Sequence, residues 1–156
     1  MSATCEDFLR QKVEVNLALC LYNDAIFFAE RLHCEHPHPD NLNLLAQTYF
    51  RKGKLKQTYL ILQESTTPSN RYLLAQACIG LQKYHEAEMA LTSHQILDPK
   101  TIDIETALEI PGQAAGLYLL GVACKRQHRR DAAIEYFKLS LKVKCLLFVY
   151  SNFKYH

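Results

Sequence analysis

The chain has 156 residues, of which 49% are hydrophobic and 22% charged, and its net charge is only +2. This composition provides enough apolar side chains for a packed core, which excludes an intrinsically disordered chain. The small net charge argues against a nucleic-acid-binding protein, and the apolar run CLLFVY at 145–150 is shorter than the roughly twenty residues of a membrane span.

The amino terminus and the cysteines indicate an intracellular protein. The first ten residues, MSATCEDFLR, carry acids where a signal peptide has a basic and then an apolar segment. The six cysteines lack close pairing in the sequence, which favours reduced thiols over a disulfide framework. We therefore expect that the chain has no secretory leader and that its cysteines are reduced, as is typical of the cell interior.

A first helical hairpin is predicted from residue 5 onward. Thr4 and Asp7 form a capping-box pattern, and Phe8, Val13 and Leu17 supply apolar side chains to the first helix. The segment YNDAIFFAERL at 22–32 predicts the second helix, with a small residue that lets the paired helices approach closely.

The segment HCEHPHPD at 33–40 raises the question of a metal site. His33 and His36 are three residues apart, a spacing that permits two ligands on one helical face. Pro37 and Pro39 each remove a backbone donor and displace the preceding residue from the helical region, so the segment is typical of a helix end and turn. We favour the turn and keep adventitious metal binding as the alternative.

Three later segments repeat one pattern: LLAQTYFRKGK at 44–54, LLAQACIGLQK at 73–83 and LLGVACKRQHR at 119–129. The first continues an apolar stripe at Leu42, Leu45 and Tyr49, which follows helical spacing. We predict that Asp40 caps this helix, that Gly53 closes it in the left-handed conformation, and that Thr67-Pro68 begins the next A helix.

This arrangement resembles the tetratricopeptide repeat, a helical hairpin of about thirty-four residues. The resemblance implies an all-α fold, an α-solenoid of about four hairpins in a single domain, 1–156. Pro37 falls where the repeat places its terminating proline, which makes HCEHPHPD a repeat junction. The predicted repeats are 5–37, 40–66, 68–99 and 113–145, with an insertion at 98–113 and a terminal segment at 146–156.

Catalytic motifs are lacking in the sequence. It has no nucleophile elbow, no glycine-rich phosphate loop and no H-E-x-x-H, so we predict a non-enzyme with no cofactor and no small-molecule substrate. The acids Asp103, Glu105 and Glu109 of the insertion are interpreted as solvated. The basic run KRQHRR at 125–130 permits phosphate binding or nuclear targeting, but we favour a solvated turn at a helix end.

Protein binding is the remaining function class. In the repeat register the A helices line a concave groove, and its apolar members are Phe50, Tyr72, Ile79, Tyr118 and Val122. The Lys and Asn pattern of a carboxylate clamp is absent from these positions. A groove of this kind suits an amphipathic helix. Packing of the same residues beneath neighbouring repeats remains the alternative.

The resemblance narrows to the cell division cycle protein 27 family of scaffold subunits of the anaphase-promoting complex, or cyclosome. The A-E-R-L tetrad at 29–32, the F-R-K-G-K turn at 50–54 and the T-T-P cap at 66–68 follow in the order of that family. The resemblance implies a module of a ubiquitin ligase that acts in the cell cycle, located in nucleus and cytoplasm. Its partners would be a second copy of the chain and other subunits of the complex, without nucleic acid or membrane.

For this dimer we predict contacts through Phe8, Val13 and Leu17 of the first helix together with the groove residues. The runner-up function is a monomeric adaptor that binds a peptide or an amphipathic helix in the groove. In the family a later superhelix binds activator tails. The chain is expected to end before that superhelix, so tail binding is not predicted.

Overall fold

A computed structural model describes residues 4–93, 95 and 97–153, with side chains through residue 148. Every regular element in these residues is an α-helix, which confirms the predicted all-α class. The helices are α1 (Cys5–Ala18), α2 (Tyr22–Glu35), α3 (Pro39–Arg51), α4 (Leu55–Leu62), α5 (Pro68–Gly80), α6 (Tyr84–Thr92), α7 (Ile104–Glu109), α8 (Ala114–Arg126) and α9 (Arg130–Phe153).

Contacts divide the chain into two compact units, which we describe separately. Unit 1 is Met1–Leu73 and unit 2 is Leu74–His156, so the boundary falls within α5. Unit 1 contains α1 to α4 and the start of α5, whereas unit 2 contains the rest of α5 and α6 to α9. The predicted single domain and its repeat boundaries stay a prediction.

The first helix begins at the predicted capping box. The Thr4 hydroxyl accepts a hydrogen bond from the Asp7 amide, and the Asp7 carboxylate accepts one from the Thr4 amide, so two otherwise unpaired donors are satisfied. The buried face of α1 consists of Leu9, Val13 and Leu17, and it packs in one cluster with Ala25, Ala29, Leu32, Leu44 and Leu45. This cluster is the core of unit 1.

The cap of α3 differs from the sequence prediction. Helix α3 begins at Pro39, which makes His38 the residue before the first turn. The His38 Nδ1 accepts a hydrogen bond from the Asp40 amide at 3.3 Å, so His38 caps the helix and the prediction for Asp40 was wrong. The reason is that the fixed backbone angle of proline suits the first helical position, which moves the helix start upstream of Asp40.

The same backbone turn closes the first helix of four hairpins. In each, an amide donates to the carbonyl five residues earlier, around a residue with positive φ. The four bonds are Leu21 N to Asn16 O, Lys54 N to Tyr49 O, Lys83 N to Cys78 O and Arg129 N to Cys124 O. The positive-φ residues are Cys20, Gly53, Gln82 and His128, so glycine fills this position only at Gly53, as predicted there.

Small side chains allow the closest helix contacts in unit 2. A Cβ atom placed on Gly121 would lie 2.5 Å from the Phe137 ring, so the helices α8 and α9 approach through this glycine. Ala87 and Ala133, predicted at the small position of their second helices, are both buried. At the start of α8, a Cβ atom placed on Gly116 would overlap the Pro111 carbonyl oxygen, so this position requires glycine.

Candidate protein-interaction surface

Helix α1 carries an exposed apolar stripe on the side opposite its buried face. Phe8 is 51% exposed, Val15 48% and Leu19 63%, and their spacing keeps all three on one side of the helix. The Lys12 ammonium lies 5.3 Å from the centre of the Phe8 ring, on the same side. We call Phe8, Val15 and Leu19 the α1 stripe.

The α1 stripe corrects part of the predicted contact set. Val13 and Leu17 are buried in the core of unit 1, where they already contact their own chain. A side chain in that position is unavailable to a second protein, so Val13 and Leu17 hold α1 in place rather than form an interface. Phe8 remains a candidate contact residue, and Val15 and Leu19 join it.

The predicted groove positions of unit 1 are partly occupied by contacts within the chain. Phe50 and Tyr72 are half-buried. The Gln47 amide nitrogen donates to Asn43 Oδ1 at 2.6 Å, and Asn43 Nδ2 donates to Asn70 Oδ1 at 2.6 Å. These amides therefore have partners before any peptide binds, which lowers the gain that a peptide obtains from them.

In unit 2 the predicted groove residues differ in exposure. Tyr118 is largely exposed, with its ring centre 5.5 Å from that of Phe137, whereas Ile79 and Val122 are half-buried. Tyr118 thus covers the aromatic ring that fills the space above Gly121. The role of these residues in binding stays a prediction.

Two fully buried asparagines connect neighbouring hairpins of unit 1. Asn41 and Asn70 both stand at the third position of an A helix, after Pro39 and Pro68. Asn41 accepts from Arg10 at 2.5 Å and donates to the His36 carbonyl at 2.9 Å and to Glu6 at 3.2 Å. Asn70 donates to the Ser65 hydroxyl at 2.8 Å and to the Pro39 carbonyl at 3.5 Å. A buried amide with its partners in place fixes the register of one hairpin on the next.

A nearly buried carboxylate joins the hairpins of unit 2. Glu88 of α6 accepts hydrogen bonds from the Cys124 thiol at 3.1 Å, from Gln127 Nε2 at 3.1 Å and from the Arg129 guanidinium. The donors come from the end of α8 and from the turn before α9. Glu88 therefore joins α6 to the next hairpin, and a cavity of about 270 Å³ lies beside it.

The repeat position that tyrosine usually holds is occupied by Tyr49, Cys78 and Cys124. Their side chains are protonated at neutral pH. Burial raises the pKa of the Cys78 thiol to about 12. Burial, together with the hydrogen bond to Glu88, raises the pKa of Cys124 to about 12. Burial and the hydrogen bond to Glu30 raise the pKa of Tyr49 to about 12. The two cysteines therefore act as small core residues rather than nucleophiles or metal ligands.

The histidine-rich junction forms a turn. His36 ends α2 and His38 caps α3, and the open groove beside them is lined by the prolines, by His33 and by Thr66 and Thr67. Within the described residues, no three His, Cys, Asp or Glu side chains are arranged to hold a metal ion. The His33 Nδ1 atom, in the last turn of α2, is buried and has no hydrogen-bond partner among the described residues.

Two charged segments have structural roles. Asp103 caps α7 by accepting from the Thr106 amide at 2.9 Å, and this hydrogen bonding lowers the pKa of Asp103. Glu105 and Glu109 are exposed. In the basic run at 125–130, Lys125 and Arg126 occupy the last turn of α8, and Arg129 pairs with Glu88.

Sequence reasoning missed the residues that join the hairpins. Asn41 and Asn70 share a Pro-x-Asn pattern at 39–41 and 68–70, a signal that was available. Glu88 gave no such signal, because its partners lie 36 to 41 residues away. None of the helices in the described part of the chain has the length and apolarity that crossing a membrane requires.

Comparison with protein families gives two matches. The family described as anaphase-promoting complex, cyclosome, subunit 3 matches residues 18–94, which include α2 to α6. The family described as tetratricopeptide repeat matches residues 114–144, which include α8 and most of α9. The two matches fall on the segments in which the sequence showed repeats.

Similar curated proteins come from plants, animals and a slime mould. Cell division cycle protein 27 homolog A of Arabidopsis thaliana is 36% identical over 136 residues, 87% of this chain and 18% of that protein. The human cell division cycle protein 27 homolog is 35% identical over 129 residues, 81% of this chain and 16% of its own length. Anaphase-promoting complex subunit 3 of Dictyostelium discoideum is 35% identical over 89 residues, 55% of this chain and 9% of that protein. The chain thus spans less than a fifth of each relative.

Solved structures share the fold. The crystal structure of the APC/C hetero-tetramer Cut9-Hcn1 matches with a TM-score of 0.75 and 25% identity, over 90% of this chain and 26% of that chain. A MamA RS-1 ArsTM double mutant matches with a TM-score of 0.71 and 13% identity, over 91% of this chain and 77% of that chain, which shows the fold alone. The Cut9-Hcn1 match confirms the predicted α-solenoid of tetratricopeptide-like hairpins.

Proposed function

The chain is a tetratricopeptide-repeat protein that resembles the cell division cycle protein 27 subunit, and on this premise we propose that it is a non-catalytic scaffold module of the anaphase-promoting complex. The observation that carries the proposal is the 36% identity to the plant homolog A over 87% of the chain. A scaffold of this kind contributes helix surfaces on which other subunits assemble. Its place of action would be the nucleus and cytoplasm.

The scaffold role is tested by capture of the complex. The chain, tagged and expressed in cells of its own source, is purified gently, and the bound proteins are identified by mass spectrometry. Recovery of other anaphase-promoting complex subunits at levels above a tag-only control is the expected result. A tagged reference subunit of the complex serves as the positive control. If the reference subunit captures its known partners and this chain captures no subunit of the complex, the scaffold proposal is wrong.

We further propose that the module associates with a second copy of itself through the α1 stripe. A row of exposed apolar residues along one side of a helix resembles the seam by which two helices pack. Burial of Phe8, Val15 and Leu19 removes apolar surface from water, which favours association by about 25 cal/mol for each Å² buried.

The self-association proposal is tested by light scattering over a wide range of concentration. The wild-type chain is expected at twice its mass of 18.0 kDa. Val15→Asp with Leu19→Asp should give the monomer mass, because two buried carboxylates without partners are unfavourable. Leu60→Asp is the matched control, since Leu60 is 60% exposed on α4 and lies outside the stripe.

Two outcomes would contradict self-association through the stripe. A wild-type chain that is monomeric at every concentration removes the dimer and leaves the monomeric adaptor as the better function. A dimer that persists in the double variant and dissociates with Leu60→Asp places the interface elsewhere. Neither outcome affects the capture experiment, so the scaffold and dimer proposals fail independently.

A further inference from the structure

The last described helix has two faces of different chemistry. Helix α9 packs its buried face, formed by Ala133, Tyr136, Leu139 and Val143, within unit 2. On the same side, the Ser140 hydroxyl donates to the Ala114 carbonyl at 2.7 Å, which fixes α9 on α8. This contact settles the orientation of the helix, and the opposite face is therefore turned to solvent.

Three large apolar side chains lie on that solvent face. Ile134 is 49% exposed, Leu141 63% and Phe148 68%. They recur every seven residues, so they stay on one side of a helix for about 20 Å. We call Ile134, Leu141 and Phe148 the α9 stripe. A coiled-coil seam has two apolar positions in each heptad, and this row supplies one of the two.

The stripe is flanked by positive charge. Lys138 and Lys142 border one side and Lys144 borders the other, and all three lysines are exposed. From Tyr136 to the carboxyl terminus the sequence contains no Asp or Glu. The hydrogen bond from Lys138, together with the positive charges of Lys138, Lys100 and Lys142, lowers the pKa of Glu135, which lies next to the stripe. The three lysines therefore create a positive electrostatic potential around Glu135 and the adjoining part of the stripe.

We propose that the α9 stripe is a docking surface for an acidic amphipathic helix of another protein. Such a helix would place leucine-like residues between Ile134, Leu141 and Phe148 and glutamates or aspartates opposite the flanking lysines. The charge complementarity orients the partner and speeds its encounter, while the apolar contacts provide most of the affinity. This surface is separate from the α1 stripe and does not depend on the scaffold function.

A second copy of the chain fits the surface poorly. Two α9 helices packed stripe to stripe would bring Lys138, Lys142 and Lys144 against the same residues of the partner copy, in either orientation. Two acids lie beside this face: Asp131, at the start of the helix, and Glu135, which is paired with Lys138. Neither lies near Lys142 or Lys144 on the later part of the stripe. Like charges held together destabilise such a pair.

A membrane surface also fits less well than a helix. Helices that lie on lipid have a broad apolar face with basic residues on the polar side. The α9 stripe is one residue wide, and exposed lysines lie on both sides of it. A narrow seam of this kind suits a single facing helix.

The experiment uses the whole chain and two labelled peptides. One is a designed helix of three heptads with leucine at the seam positions and glutamate beside them, and the other has lysine in place of each glutamate. Fluorescence anisotropy should show binding of the acidic peptide, weakened by added salt, and much weaker binding of the basic peptide. Phosphatidylserine-containing vesicles serve as the membrane probe.

Variants connect the binding to the stripe. Lys138→Glu with Lys142→Glu should weaken the acidic peptide about tenfold and strengthen the basic peptide. Leu141→Asp should abolish binding of both, and because Leu141 is exposed it should leave the circular dichroism unchanged. The matched control is Lys52→Glu with Lys56→Glu, which makes the same charge change on exposed lysines of unit 1.

Several results would overturn the proposal. Equal binding of the acidic and basic peptides, or no binding of either at millimolar concentration, excludes an acidic helix. Binding to vesicles without binding to the acidic peptide assigns the surface to lipid. A dimer that Leu141→Asp dissociates while the α1 variants leave it intact assigns the stripe to a second copy.

Discussion

Unit 1 joins its hairpins through buried amides, whereas unit 2 uses a carboxylate with an arginine. Asn41 and Asn70 are neutral and fully buried, and their hydrogen bonds cross from one A helix to the next. Glu88 is charged, and its partners lie on the end of α8 and the turn beyond. Similar hairpins are therefore held together by different chemistry. The repeated sequence pattern therefore specifies the helices, whereas the polar contact that joins one hairpin to the next differs between the two units.

Among the substitutions, the largest loss of stability at neutral pH is expected when the amide contact of unit 1 is removed. Asn41→Ala deletes three hydrogen bonds and leaves the His36 carbonyl without its donor, so the free energy of unfolding should fall by about 3 kcal/mol. Chemical denaturation followed by circular dichroism measures this change. Asn16→Ala is the control, since the Asn16 side chain donates to the Lys12 carbonyl of its own helix, and the expected loss is below about 0.5 kcal/mol. Equal losses in the two variants would show that Asn41 does not join the hairpins.

A somewhat smaller loss is expected for the carboxylate contact of unit 2. Glu88→Ala leaves Gln127 and Arg129 without their acceptor, but Arg129 is half-exposed and recovers hydration, so the loss should be about 2 kcal/mol. Glu86→Ala is the matched control on the same helix, because Glu86 pairs with Lys83 at the surface. That variant should lose less than about 0.5 kcal/mol. If Glu86→Ala is as damaging as Glu88→Ala, the comparison of the two units fails.

Alkaline pH should destabilise the chain through the buried thiols of unit 2. The pKa of Cys78 and that of Cys124 are raised to about 12 in the folded chain, while an unfolded thiol has a pKa of about 8.5. The stabilisation by the protonated thiols is fully present below the thiol pKa of the unfolded chain. It is lost as pH rises toward the thiol pKa of the folded chain, because the unfolded chain releases its protons first. The loss is about 1.4 kcal/mol per pH unit for each thiol.

Denaturation at a series of pH values between 8 and 10 tests this prediction. In the double variant Cys78→Ala with Cys124→Ala, the free energy of unfolding should fall much less steeply with pH, whatever its value at neutral pH. The residual slope comes from tyrosines, since burial also raises the pKa of Tyr136 and raises that of Tyr49 to about 12. An unchanged slope in the double variant would show that the thiols ionise freely in the folded chain.

The smallest effect concerns the turn that both units share. Gln82 has a φ of 62°, a conformation that glycine adopts without strain, so Gln82→Gly should raise the free energy of unfolding by about 1 kcal/mol. Gly53→Ala is the opposite change at the equivalent position, where φ is 82°, and should lower it by about 1 kcal/mol. A loss of stability in Gln82→Gly would mean that the glutamine side chain contributes more than its backbone strain removes.

The features predicted correctly from the sequence are local. The capping box at Thr4 and Asp7, the left-handed turn at Gly53 and the helices of the repeated segments depend on residues within one or two turns of each other. The cap of α3 was missed although it is also local, because histidine is an uncommon cap. Of the eight predicted contact residues, Val13 and Leu17 proved to be core residues.

The α1 helix shows why the interface was harder to predict than the fold. Its sequence has two apolar rows, one through Leu9, Val13 and Leu17 and one through Phe8, Val15 and Leu19. Both rows satisfy helical spacing, so periodicity alone does not say which one faces the core. Packing decides, since the first row lies in one buried cluster with the small side chains of Ala25 and Ala29 of α2.

The sequence by itself determined that the chain forms paired helices, where most of them begin and end, and which family the repeats resemble. These properties follow from hydrogen bonding and side-chain spacing within a few residues. Only the tertiary structure decided which apolar row is buried and which polar side chains join the hairpins. Such contacts link residues about thirty to forty positions apart, such as Arg10 with Asn41 or Arg129 with Glu88. The Pro-x-Asn pattern marks Asn41, but no local pattern identifies its partner.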